Sequence, residues 1–291
     1  MLKWISAARL RTLPLALSSI FMGTFLAIRA NKFGFWIFLF ACLTTILLQV
    51  LSNFANDYGD FKNGADLKER IGPKRAVQSG EISSKQMMTG ILIVAFLAFF
   101  SGLILLYISF DGFFSLIFWK FVGIGILCIV AAFTYTAGKR PYGYVGLGDV
   151  SVFIFFGIVG VMGSYFLFTK NIDLDIILPA MFCGLLATGV LNLNNIRDIV
   201  SDKAAGKITI PVRLGRKKAI IYHFFLLIFA LLSLFAYVYF QRVDKYYYLI
   251  SLPLILLNAF QLLKIENPDP LLKSLALTTL VSVILFGISI I

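Results

Sequence analysis

Two stretches of the chain carry oxygen-bearing side chains at helical spacing. The first reads Asn53-Phe-Ala-Asn56-Asp57-Tyr58-Gly59-Asp60 and reaches Asp66. The second reads Asn194-Asn195-Ile-Arg197-Asp198 and reaches Asp202. If each is helical, Asn56 and Asp60 lie one turn apart on one face, and Asn194, Asp198 and Asp202 fall at i, i+4 and i+8. Carboxylates stacked one turn apart repel each other by a few tenths of a kcal/mol on a bare helix, roughly the size of an i,i+4 pair. A divalent cation removes that repulsion. Mg²⁺ takes hard oxygen ligands and shares one or two carboxylates with substrate phosphates. Two such columns facing one another would hold Mg²⁺ ions around a diphosphate.

Basic residues follow each column: Lys74 and Arg75 after the first, Lys207 and Arg213 after the second, with Lys139 and Arg140 in a short segment between. Arg grips phosphate bidentately and Lys acts as a point charge. The plainer role for all six is to set membrane topology. Pairing with acids at matching positions singles out Arg75 and Arg213.

The elements that position these residues follow from composition. Of 291 residues 60% are apolar and 14% charged, against about 45–50% and about 25% in ordinary soluble domains. That excludes a soluble globule, and the 30 Phe residues exclude disorder. The apolar runs do not alternate, which disfavours a β-barrel. The expectation is an all-α polytopic membrane protein. A bilayer core of about 30 Å needs about 20 apolar residues in a helix. Nine stretches qualify, near 12–29, 35–55, 88–109, 117–137, 149–169, 175–193, 219–240, 246–263 and 272–291. No signal peptide is evident. Met1–Thr12 is a cationic amphipathic lead with Trp4 suited to the interface. Lys and Arg crowd the segments on the N-terminal side of the membrane, so the N-terminus and both acidic loops, 56–87 and 194–218, are placed in the cytoplasm. The net charge of +12 is then a topology signal, and no nucleic-acid partner is implied.

Asn56 and Asn194 are 138 positions apart, as are Asp60 and Asp198, Pro73 and Pro211, and Arg75 and Arg213. This predicts one domain built from two four-helix repeats, about 12–137 and 149–263, with a ninth helix appended. Sites in repeat-built membrane proteins lie between the repeats. Tyr142-Gly-Tyr-Val-Gly-Leu-Gly148-Asp149 has no Walker pattern and no preceding strand, so it is read as a tight turn into the fifth span. Asp149 either caps that helix or joins the polar cavity. His223 is expected to be an interfacial side chain. Cys42, Cys128 and Cys183 lie in apolar runs and are read as small packing residues.

A bilayer favours long apolar substrates, and the acids favour Mg²⁺ and a diphosphate. Together they suggest an isoprenoid diphosphate with its tail among Phe-rich helices. Mg²⁺ and the Arg and Lys groups would stabilise charge on the departing diphosphate. Aromatic rings would shelter the allylic cation, and a dry cavity would protect it from water.

The chain resembles the UbiA superfamily of intramembrane prenyltransferases, which carry two Asp-rich motifs after the second and sixth of nine helices. It looks most like the branch that prenylates 1,4-dihydroxy-2-naphthoate in menaquinone synthesis. The matching pieces are Ala7-Ala-Arg-Leu-Arg-Thr-Leu-Pro14, Asn56 to Asp66, Gly72-Pro-Lys-Arg-Ala-Val-Gln-Ser-Gly80, Pro141 to Asp149, Asn194 to Asp202, and Gly206-Lys to Val212-Arg-Leu-Gly215. The resemblance implies transfer of a polyprenyl group from polyprenyl diphosphate to the aromatic acceptor, with loss of its carboxylate as CO₂. The products would be demethylmenaquinone and diphosphate, made in a bacterial inner membrane.

By the same resemblance Asn56, Asp60, Asn194, Asp198 and Asp202 would hold Mg²⁺, and Asp66 would either join them or order its loop. Arg75, Lys139, Arg140, Lys207 and Arg213, with Lys74 beside them, would grip the diphosphate or the acceptor carboxylate. Asp60, Asp198, Asp202 and Arg140 are expected to carry the catalytic step. The competing readings are a relative acting on hydroxybenzoate, homogentisate or haem, and a secondary transporter. A transporter would need its polar site near the midplane rather than at helix ends.

Overall fold

The structure is a computed structural model that describes residues 2–65, 72 and 75–291. Asp66 and Lys74 lie outside the described residues. Every regular element among the described residues is helical. The chain runs α1 (Leu2–Ala8), α2 (Leu13–Arg29), α3 (Phe35–Lys62), α4 (Ser84–Phe110), α5 (Leu116–Thr134), α6 (Gly148–Val152), α7 (Ser164–Thr169), α8 (Ile177–Arg197), α9 (Ile199–Ala204), α10 (Ile210–Leu214), α11 (Arg216–Phe240), α12 (Leu252–Leu262) and α13 (Asp269–Ile290).

Among the described residues, eight helical stretches are long and apolar enough to cross a membrane. The expected eighth span is the exception. It is a 3₁₀ turn, Tyr247–Ser251, leading into α12, and the two together cover Tyr247–Leu262. That falls short of the roughly 20 residues a spanning helix needs. Pro253 in its first turn and Pro268 beyond its end bound it.

Other boundaries also differ from expectation for local reasons. α3 continues seven residues past the predicted end, to Lys62, because nothing breaks the helix before Asn63-Gly64. It therefore carries Asn56 and Asp60 out on its last two turns. α4 starts at Ser84 under a capping box, Ser83 bonding the Gln86 backbone and Gln86 the Ser83 backbone.

α6 and α7 are joined by an 11-residue π-helical stretch, Phe153–Gly163. Ser19 of α2 donates to the Phe156 carbonyl at 2.5 Å within it. π-helical turns are rare and concentrate at functional sites. Small residues let this stretch approach its neighbours: Gly160 meets Ser19, and Gly157 lies against Ala180 and Gly184 of α8.

The main core gathers α2, α8, α11 and α13, with Met22, Phe182, Leu186, Leu227 and Phe286 fully enclosed. A second cluster joins α1, α3 and α4 around Leu51, Phe54 and Met87. Most other large apolar side chains face outward, as on Phe96, Leu127, Phe229 and Ile250. In a soluble protein such a surface would aggregate; here it faces hydrocarbon. The chain is a multi-pass membrane protein.

His223 is not interfacial. α11 begins at Arg216, so His223 sits two turns inside the helix, fully buried, with Nε2 3.3 Å from Asn258 Oδ1. The three cysteines are free, and Cys183 is buried.

Candidate active site

α3 delivers Asp60 to a buried position where Arg75 and Lys207 meet it. Arg75 Nη1 lies 2.5 Å and Lys207 Nζ 4.0 Å from Asp60 Oδ2. Lys207 Nζ is also 3.4 Å from Asp202 Oδ1. One ammonium thus bridges the first acidic loop to the second, and the two acidic motifs face a common centre. Tyr144 donates its phenol hydrogen to Asp60 Oδ1 at 2.7 Å, and Lys207 lies over the Tyr144 ring, 5.5 Å from its centroid. Burial and the adjacent Asp60 carboxylate push the Tyr144 phenol well above its usual range, so it stays a donor.

The second motif keeps its helical register across a break. α8 ends at Arg197, yet the Asp198 amide bonds the Asn194 carbonyl and the Asp202 amide bonds the Asp198 carbonyl. Burial pushes the Asp202 carboxyl up to about 6, with Lys207 pulling it down and the carboxylates of Asp198 and Asp60 pushing it further up. Its Oδ2 is buried without a hydrogen-bond partner. Asp198 is held by Arg197, whose Nε and Nη2 donate to Oδ1 and Oδ2 at 2.8 and 2.7 Å.

The two asparagines mark the mouth of a cavity of about 700 Å³. Asn56, Asn194, Arg9, Asn53 and Tyr135 line its polar end. Phe99, Phe155 and Phe156, then Phe121 and Phe166, line its apolar length between α2, α4, α5 and the π-helical stretch. Asn56 Oδ1 accepts from Thr136, and Asn194 Oδ1 accepts from Arg197.

The structure therefore brings together Asn56, Asp60, Arg75, Asn194, Asp198, Asp202 and Lys207. Among the described residues it does not bring Arg213 to an acid. Thr209-Ile210-Pro211 starts the separate helix α10, so Arg213 points outward and donates to the Val145 carbonyl at 2.7 Å. Lys207, also named in the sequence, is the basic residue of the second loop that lies beside Asp60 and Asp202. Lys139 and Arg140 are exposed and engage none of the described residues.

Tyr144 and Arg9 were missed in the sequence. Arg9 holds a left-handed backbone (φ 48°) at the break between α1 and α2, and no local pattern signals that. Tyr144 sits inside the Gly-rich turn read only as a connector. Gly146 within that turn has φ 84°, open to glycine without strain. Asp57, though part of the motif, does a different job: its carboxylate accepts the Ala76 and Val77 amides and pins the return of the first loop. Asp149 is buried and accepts from Tyr222 at 3.0 Å, so it joins a polar pair rather than only capping its helix.

The hard oxygen donors, the unpartnered Asp202 Oδ2 and the amides at the cavity mouth fit magnesium. As they stand, no three carboxylate, His or Cys side chains among the described residues converge closely enough to hold one ion. Arg75, Lys207 and Arg197 occupy the carboxylates instead. A tri-anionic diphosphate is the kind of partner that could draw those cations off the acids.

Comparison with known proteins agrees with this architecture. The sequence profile of the UbiA prenyltransferase family matches residues 16–284. A protein of Haemophilus influenzae described as 1,4-dihydroxy-2-naphthoate octaprenyltransferase is 46% identical over 98% of this chain and 94% of its own. An Escherichia coli protein of the same description is 41% identical over 99% and 94%. Among solved structures, a UbiA homolog from Archaeoglobus fulgidus bound to GPP and Mg²⁺ superposes with a TM-score of 0.67 at 14% identity, covering 99% of both chains. The polar cluster at the ends of α3 and α8, the apolar cavity beneath it and the match across nearly the whole length place the chain in the UbiA prenyltransferase family.

Proposed function

We propose that the protein transfers a polyprenyl group from polyprenyl diphosphate to 1,4-dihydroxy-2-naphthoate, releasing CO₂ and diphosphate and forming demethylmenaquinol, the reduced form of demethylmenaquinone. The observation that carries this reading is the arrangement of Asp60, Arg75, Lys207 and Asp202 around one centre, joined through the Arg75 bond to the Asn56 carbonyl to a cavity that Asn56 lines. The acceptor follows from the relatives at 46% and 41% identity.

Asn56, Asp60, Asn194, Asp198 and Asp202 would hold Mg²⁺, with Asp66 either a further ligand or an organiser of its loop. When bound, the metal neutralises charge on the diphosphate and so eases its departure. Arg75 and Lys207 sit between the acids and bind the diphosphate oxygens once it arrives. As the allylic C–O bond breaks, its electron pair leaves with the diphosphate. Tyr135, Phe155 and Phe156 line the cavity and would supply aromatic rings to shelter the cationic carbon. The apolar walls keep water from capturing it. A ring carbon of the acceptor supplies the new bond, and the pair from the departing CO₂ stays with the ring. The exposed Lys139 and Arg140 are free to meet the acceptor carboxylate.

The polar centre belongs to the cytoplasmic face of a bacterial inner membrane, with the N-terminus on that side. The chain forms one domain of two pseudo-repeats, about 12–137 and 149–263. The test is purified protein with Mg²⁺, a labelled polyprenyl diphosphate and a panel of aromatic acceptors, read by product mass. The reading requires a prenylated, decarboxylated naphthoate product. Product only from hydroxybenzoate or homogentisate would replace the acceptor, and no prenylated product from any acceptor would reject the reaction.

A further inference from the structure

Three separate parts of the chain meet on Arg197. One edge of its guanidinium grips the second motif, with Nε and Nη2 on the Asp198 carboxylate and Nη2 also on Asn194 Oδ1 at 2.8 Å. Nη1 points the other way, to Asp269 Oδ1 at 2.5 Å. Asp269 is the first residue of α13, and its other oxygen takes Arg11 at 3.1 Å. Gly72 of the first acidic loop lies against the guanidinium itself, since a Cβ there would stand 2.9 Å from Arg197 Cζ.

The Arg197 side chain is 1% exposed and that of Asp269 25%. A guanidinium is a rigid planar fork, so fixing one edge fixes the direction of the other. Asp269 does not line the cavity, and its link to the second motif runs through Arg197, its other oxygen serving Arg11. Without it, one edge of a buried cation would lose its acceptor, and the fork would tilt away from Asp198 and Asn194 to find another.

We propose that Asp269 is a positioning residue for the diphosphate site: by clamping Arg197 it sets the direction in which Asn194 and Asp198 face Asp60. Arg197 is thereby the joint between the first loop, the second motif and the last helix. This rests on the function proposed above.

Asp269→Asn keeps the shape and removes the charge, and Asp269→Glu restores the charge on a longer stem. Loss of a side chain that orients a metal ligand costs about 10–100-fold in metal affinity or activity. Asp269→Asn is therefore expected to raise the KM for polyprenyl diphosphate and the Mg²⁺ concentration for half-maximal rate about tenfold, with a smaller fall in kcat. Asp269→Glu should recover most of both. Gly72→Ala, which presses on the other side of Arg197, should move both parameters in the same direction.

A readout independent of turnover is the melting temperature of the detergent-solubilised protein, with and without Mg²⁺ plus a non-hydrolysable prenyl thiodiphosphate. The unliganded Asp269→Asn protein should melt as the wild type does, while the rise on adding ligand should shrink. Wild-type KM, Mg²⁺ requirement and ligand-induced rise in Asp269→Asn would overturn the proposal. So would a lowered unliganded melting temperature that Asp269→Glu fails to correct. Wild-type protein showing neither prenyl transfer nor a ligand-induced rise would overturn the proposed function along with it.

Discussion

Tyr144 and Asp60 share a 2.7 Å hydrogen bond although 84 residues separate them. It ties the Gly-rich turn before α6 to the last turn of α3. A hydrogen bond to a charged group contributes about 1.5–3 kcal/mol. Tyr144→Phe removes the donor and keeps the ring beneath Lys207. Prenyl transfer by this variant is expected to fall about tenfold or more by that estimate. Initial rates beside wild type check this, and an unchanged rate would mean that the phenol does not support the carboxylate.

Lys207 stands between Asp60 and Asp202. Lys207→Gln leaves a polar side chain without the charge, so two buried carboxylates lose a shared counter-ion. The KM for the diphosphate substrate should rise more than kcat falls, since the lost contact serves binding. Saturation curves at fixed Mg²⁺ separate the two, and a variant altered only in kcat would argue that Lys207 acts on the leaving group alone.

Asp60 lies at the end of α3 and Asp198 just past α8, and in the proposed reaction both act on one centre. Residues that work as a unit lose activity non-additively. Asp60→Ala combined with Asp198→Ala is expected to be little worse than either single variant. Losses that multiply would assign the two carboxylates to separate jobs.

Metal removal is the direct test of the acidic centre. Excess chelator should stop diphosphate release, and restored Mg²⁺ should recover it. Release that continues undiminished in chelator would eliminate the metal from the mechanism.

Packing at the site makes a stability prediction. Gly59 lies one residue before Asp60, and a Cβ there would fall 2.5 Å from the Thr136 carbonyl group. That neighbour is backbone and yields little. Gly59→Ala should lower stability by about 1–3 kcal/mol, the usual cost of overpacking, and push α3 from the 135–137 segment. Thermal melting in detergent measures it; a melting temperature equal to wild type would show that the contact relaxes without strain.

Much of this was legible because it is periodic or local. Apolar runs of spanning length marked the helices, and i,i+4 oxygens marked Asn56, Asp60, Asn194, Asp198 and Asp202, which the fold does gather. Partners distant in sequence were not legible. Arg197 meets Asp269 across 72 positions, and no periodicity links them. The repeat spacing matches Arg75 with Arg213, but it carries no information on where α10 turns its side chains, and Lys207 is the basic residue that lies beside Asp60 and Asp202. The apolar run from 219 puts His223 near a helix end, but the cationic residues Arg216–Lys218 already belong to α11 and carry it inside. The π-helical stretch left no mark, since Phe153–Gly163 is apolar whatever its winding.

That wide winding has a consequence for evolution of the tail pocket. A π turn amounts to extra chain accommodated within an α-helix, so Phe155, Phe156 and Met162 owe their inward aim to residue number as much as to residue type. Losing a residue anywhere from 153 to 163 would tighten this winding toward ordinary coiling and rotate that wall about its axis. Such a deletion would re-tailor the fit for isoprenoid chains without one substitution among the residues that handle the diphosphate.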